Sequence, residues 1–122
     1  MYRREQIIDQ SFLRRISNLE LSHIHVSKNI DQVGSKNLQE IAESQFSSRH
    51  LDLLARKLKD EGLGFYTIGS FGHEGNAALG KHFPLKDMAF LHYRSAPFFI
   101  ERSKQLNGTT PLYDLALSYM AS

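Results

Sequence analysis

The sequence predicts a mainly helical chain carrying one or two short strands, and three observations lead there. Apolar residues recur at intervals of three and four along several stretches, the spacing of one helix face. Serine, threonine, proline and glycine stand where helices need starts and stops. Only the short apolar run 88–92 and the alternating segment 19–26 read as strands.

Taken in order, residues 4–17 set Ile7, Ile8, Phe12, Leu13 and Ile16 on one helical face. Residues 19–26 alternate, with Leu19, Leu21, His23 and His25 against Glu20, Ser22, Ile24 and Val26, which suits a short strand or a connector. The chain then turns polar, Gly34 and Ser35 punctuate it, and a helix is expected to begin near Ser35 or Lys36. The clearest helix spans 47–61. There Leu51, Leu54 and Leu58 share a face, Ser47 or Ser48 caps the free N–H groups, and Gly62 supplies a left-handed stop. Six of the 8 glycines then fall between Gly62 and Gly80, around a loop that feeds a helix at 74–81. The run 88–92 reads as a buried strand. A helix opens near Ser95 with Pro97 in its first turn, and another opens with Thr110 as cap and Pro111 at the first helical position. The last helix places Leu112, Leu115 and Tyr119 on one face and meets no stop signal, so the sequence predicts a chain cut inside a domain.

Composition narrows the function classes. With 122 residues, 41% hydrophobic and 23% charged, the chain has the make-up of one globular domain rather than of a disordered segment. Fifteen basic residues against 13 acidic ones leave a net charge of only +2, too small a field for a dedicated nucleic-acid binder. Without cysteine there is no disulfide frame, thiolate nucleophile or cysteine zinc site, as suits a cytoplasmic protein. No run of apolar residues is long enough for a membrane span.

Two clusters carry the candidate chemistry. Gly69-Ser70-Phe71-Gly72-His73-Glu74-Gly75 is a glycine-rich turn into a helix, which is either a tight structural turn or a ligand-facing one. It is neither a P-loop nor a dinucleotide fingerprint. His92-Tyr93-Arg94-Ser95 lies at the carboxyl end of the expected strand, where ligands commonly bind. Arg94 offers a planar fork of donors suited to phosphate oxygens, Tyr93 a hydroxyl and His92 a titratable ring, although a strand-end arginine also serves as a surface ion-pair partner. The histidines, including the pair His23 and His25, show no HExxH spacing, and no G-x-S-x-G is present.

Taken together, Gly64-Phe65-Tyr66, Gly72-His73-Glu74-Gly75-Asn76-Ala77-Ala78 and Asp87-x4-His92-Tyr93-Arg94 resemble the alpha part of the thiamine-diphosphate-dependent 2-oxoacid dehydrogenases, the branched-chain and pyruvate types. The stretch Phe65-Tyr66-Thr67-Ile68-Gly69-Ser70 and His92-Tyr93-Arg94-Ser95 are most similar to the branch with fused alpha and beta parts. The likeness covers residues 50–122. It departs from the two-chain enzymes by one extra residue between Phe65 and Gly72, and by Ser95 where many relatives carry an acidic residue.

The resemblance implies an α/β thiamine-diphosphate-binding fold, with 46–122 the start of the alpha domain and 1–45 a helical extension of unassigned role. It implies that Tyr93 and Arg94, with His92 beside them, bind the cofactor's diphosphate. Phe65, Tyr66 and His73 would form the pocket for a 2-oxoacid, and Gly72, His73 and Glu74 would shape the helix entrance. Mg²⁺ would be held in the complete enzyme by a Gly-Asp-Gly…Asn segment, and no Gly-Asp-Gly occurs in these residues. Implied partners are the beta part, which supplies the activating glutamate, and a lipoyl-bearing acyltransferase, within an oligomer and without nucleic acid or membrane. The expected role is thus a partial alpha region, not competent alone. A non-catalytic assembly module of the same ancestry and a small basic nucleic-acid-binding helical protein are the alternatives.

Overall fold

The computed structural model describes residues 4–18, 30–65 and 68–121. They form helices α1 (Arg4–Asn18), α2 (Ile30–Val33), α3 (Ser35–Asp60), α4 (Asn76–His82), α5 (Ala96–Ser103) and α6 (Pro111–Ala121). The chain divides into two compact units, Met1–Gln32 and Val33–Ser122. The first contains α1, where the expected helix forms with Ile7, Leu13 and Ile16 half exposed. The segment 19–26, with His23 and His25, lies outside the described residues.

In the second unit α3 is the spine, with α4, α5 and α6 packed on it and α5 packed on both α4 and α6. It begins at Ser35, as expected, but runs unbroken through 47 to Asp60. Ser47 and Ser48 therefore cap nothing. Ser48 is buried mid-helix and its hydroxyl is hydrogen-bonded to that of Ser70. The stop is as expected. Gly62 takes φ 75°, its N–H donates to the Lys59 carbonyl at 3.0 Å, and the Leu63 N–H donates to that of Leu58 at 2.8 Å. The buried face holds Leu51 and Ala55 but also Ser44, Ser48, Arg49 and Asp52, while Leu54 is left exposed.

Polar residues are tolerated inside because each finds a partner. Glu101 of α5 is 1% exposed, accepts a 2.5 Å hydrogen bond from the Ser44 hydroxyl, and pairs with Lys104 at 3.1 Å and Lys81 at 3.4 Å. Lys81 is also bonded to Glu40 of α3, which holds its ammonium above the ordinary lysine value. Helices α4 and α5 come together through Gly80, where a Cβ would stand 2.5 Å from the Phe98 carbonyl oxygen. Around that crossing Ala77, Ala96, Phe98 and Ile100 are buried.

The strand expected at 88–92 does not form, and no strand occurs among the described residues. Met88 is 79% and Phe90 91% exposed, so this apolar run crosses the surface with no neighbouring strand to pair with. Its approach is held by Arg102. That guanidinium donates to the carbonyls of Pro84 at 2.8 Å, Leu85 at 3.1 Å and Asp87 at 2.5 Å, and lies over the rings of Phe83 and Phe98. The structure is mainly helical, as the periodicity indicated. Helices α5 and α6 open at Ala96 and Pro111, where the cap signals set them. No described helix is long and apolar enough to cross a membrane.

Candidate functional site

The site is built outward from the buried face of α3. Asp52 is 2% exposed and receives the Ser70 backbone N–H at 2.9 Å and the Ser70 hydroxyl at 3.2 Å. Gly69 permits this approach, since a Cβ there would fall 2.7 Å from the Asp52 carboxylate. Arg49, also buried, donates to Asp52 at 3.0 Å, and its Nε lies 3.6 Å from the Glu74 carboxylate. Glu74 in turn accepts the N–H of Gly72 at 2.7 Å, and Gly72 has φ +84°. Burial pushes the Asp52 carboxyl above its ordinary value, against the opposing pull of the Ser70 N–H and the Arg49 charge.

The loop so anchored presents Phe71 and His73 to the turn 92–95. The turn is closed by the Ser95 N–H donating to the His92 carbonyl at 2.8 Å, and by the His92 N–H donating to the Ser95 hydroxyl at 3.1 Å. The Arg94 backbone N–H donates to His92 Nδ1 at 3.1 Å, so a neutral His92 ring carries its proton on Nε2. The His73 and His92 rings meet edge to face with centroids 6.1 Å apart, and His92 meets Tyr93 at 5.4 Å. The Arg94 guanidinium lies 5.9 Å from the centre of the Phe71 ring and 5.8 Å from that of Tyr93. No hydrogen bond or ion pair ties this guanidinium to a protein group among the described residues.

Beside the turn, α5 and α6 flank a half-open cavity of about 430 Å³ lined by Leu91, His92, Tyr93, Phe99, Asp114 and Tyr119, among others. Burial, with a smaller contribution from the Asp52 charge, pushes the Tyr119 hydroxyl above the ordinary tyrosine value. Of the cluster, His92 and Tyr93 line that space, while Arg94 and His73 adjoin these two rings outside its lining. A guanidinium fork beside imidazole and phenol donors suits an anionic group.

Of the residues singled out from sequence, His73, His92, Tyr93 and Arg94 come together although His73 and His92 are nineteen positions apart. Phe65 does not join them, being 80% exposed. Tyr66 lies outside the described residues. The strand that was to present His92-Tyr93-Arg94 is absent, so the turn and the cap of α5 present them instead. Sequence reasoning missed Arg49 and Asp52, and named Phe71 only as part of the glycine-rich loop, without a role. The signal for the first two was a charged pair at i, i+3 flanking Leu51 on the apolar side of a helix. No family model matches the chain, and comparison with curated proteins and with solved structures finds no significant match.

Proposed function

We propose that residues 46–122 are the opening part of the alpha region of a thiamine-diphosphate-dependent 2-oxoacid dehydrogenase, with Arg94 and Tyr93 contacting the diphosphate of the cofactor. The supporting observation is the Arg94 guanidinium, stacked near two rings with its N–H donors unclaimed by described protein groups. A guanidinium prepared in this way matches phosphate oxygens, which accept two parallel charge-assisted bonds. His92 stands beside it with its proton directed to Nε2, a further donor for the same anion.

The complete fold in this reading is α/β, and the described residues contribute helices and the turn that bears the diphosphate contacts. Phe65, Tyr66 and His73 are assigned to the 2-oxoacid side, although His73 rests against His92. When bound, the cofactor supplies the electron sink for decarboxylation. The residues here bind and orient its diphosphate. Turnover also needs the Mg²⁺-binding segment and the glutamate of the beta part. The exposed side chains of Met88 and Phe90 support a surface that partner regions cover, including the beta part and the lipoyl-bearing acyltransferase. The cytoplasm is the compartment this activity implies.

Calorimetric titration of the chain with thiamine diphosphate and Mg²⁺ tests the reading. Two charge-assisted hydrogen bonds are worth ~1.5–3 kcal/mol, so Arg94→Ala weakens binding roughly ten- to a hundredfold. Arg94→Lys recovers only part, because an ammonium cannot reproduce the fork. Equal affinity of Arg94→Ala and the parent sinks the assignment.

A further inference from the structure

Phe71 is approached by both guanidinium groups of the cluster, Arg49 at 5.8 Å and Arg94 at 5.9 Å from its centre. The two cations differ in kind. Arg49 is 4% exposed and its charge is matched by Asp52 and Glu74. Arg94 has no carboxylate partner among the described residues. The backbone on each side of Phe71 is fixed, at Ser70 by Asp52 and at Gly72 by Glu74. Yet the Phe71 side chain is only half-buried and belongs to no part of the core. A ring so firmly located, and so little used for packing, serves best as a platform for what rests over it.

We propose that Phe71 is a positioning residue for the diphosphate site, holding the Arg94 guanidinium in place before the anion arrives, with the Arg49–Asp52–Glu74 cluster keeping the ring in position. The inference rests on the anion-binding reading of Arg94 given above. Its physical basis is preorganisation. A long arginine side chain otherwise loses rotamer freedom on binding, and a ring face that already restrains it reduces that loss. The cation–π attraction favours the same placement, and one neutral ring can attract two like charges while separating them from direct contact. The matched Arg49 is then the fixed member of the pair and the unmatched Arg94 the one that receives ligand.

The experiment uses the full chain, with inorganic diphosphate as probe, and compares Phe71→Leu, Phe71→Tyr, Arg94→Ala and the double variant Phe71→Leu/Arg94→Ala. A cation–π contact at a partly exposed site corresponds to roughly two- to fivefold in affinity, so Phe71→Leu weakens diphosphate binding by about that factor and Phe71→Tyr restores it. In the Arg94→Ala background the Phe71→Leu change has no further effect, since the group it positions is gone. Independently of ligand, the NMR signal of the Arg94 Nε–H shifts in Phe71→Leu as the ring current over it disappears, and stays near the parent position in Phe71→Tyr. An unmoved Arg94 signal overturns the platform whatever happens to binding. So does undiminished affinity in Phe71→Leu when Arg94→Ala is weakened, and that result leaves the anion reading standing. A moved signal in a chain that binds no diphosphate overturns the anion reading and reduces Phe71 to a stacking partner.

Discussion

Replacing Gly80 by alanine isolates a single physical conflict. On helix propensity alone the change stabilises, by about 1 kcal/mol for a glycine inside a helix. Packing opposes it, because the new Cβ would stand 2.5 Å from the Phe98 carbonyl oxygen and 3.1 Å from the Phe98 Cα. Ordinary contact begins near 3.4 Å, so the backbones of α4 and α5 have to separate by roughly 1 Å. No flexible side chain can yield in their place. Separation loosens Ala77, Ala96 and Phe98 together, all of them buried, and overpacking of this kind costs ~2–3 kcal/mol, the upper part of its range. Offset by the propensity gain, the net loss is ~1–2 kcal/mol, or roughly 5–15 °C in Tm for a unit of this size. Thermal and urea unfolding followed by circular dichroism measure it. Ala78→Gly, at an exposed position of the same helix, calibrates the propensity contribution with an expected loss of ~0.5–1 kcal/mol. If Gly80→Ala gains what Ala78→Gly loses, the two helices are not in close backbone contact and the reasoning fails.

Two further outcomes concern the buried charges. Asp52→Asn puts an amide N–H2 where a carboxyl oxygen accepts from Ser70 or Arg49, and costs ~1–3 kcal/mol. The Asp52 pKa is raised in the folded state, so that state binds the proton more tightly than the unfolded chain. The Asp52 contribution is therefore greatest below the ordinary value of 3.8 and declines as pH rises through the raised one. The stability gap between parent and Asp52→Asn should narrow from pH 3.5 upward and then level off, and a gap that widens over that interval refutes the burial argument. Arg102→Lys forfeits the planar group that lies over the rings of Phe83 and Phe98 and displaces the single nitrogen that reaches the carbonyls of Pro84, Leu85 and Asp87, at a cost of ~1–3 kcal/mol. Amide exchange at 83–91 should accelerate more than in α3, and uniform acceleration would mean that Arg102 stabilises the unit as a whole rather than that loop.

Helix positions were legible where the determinant is local. Ser35, Gly62, Ser95 and Pro111 sit at or beside the ends of α3, α5 and α6 because capping and stop geometry depends on a few consecutive residues. The same locality made the reading at 47 fail. A serine able to cap a helix start is equally able to sit inside one, and Ser48 does so because Ser70, twenty-two positions away, offers its hydroxyl a partner. The run 88–92 misled for a related reason. Its apolar character is the pattern of a buried strand, but a strand exists only when another supplies the hydrogen-bonding edge, and none of the described residues does.

The candidate site divides along the same line. His92, Tyr93 and Arg94 are consecutive, and their donor types marked them as a candidate anion-binding group from the sequence alone. That His73 would meet His92, or that Phe71 would lie under Arg94, depends on how α3 holds the glycine loop. That hold is made by Arg49 and Asp52, whose charges would mark a solvent face in an isolated helix. Sequence by itself determined most helix ends and the set of donors in the Tyr93–Arg94 turn, because both arise within a few bonds along the chain. Only the tertiary structure decided which face of α3 is buried and which loop meets that turn, because a buried charge is stable only where distant residues bring the partners that match it.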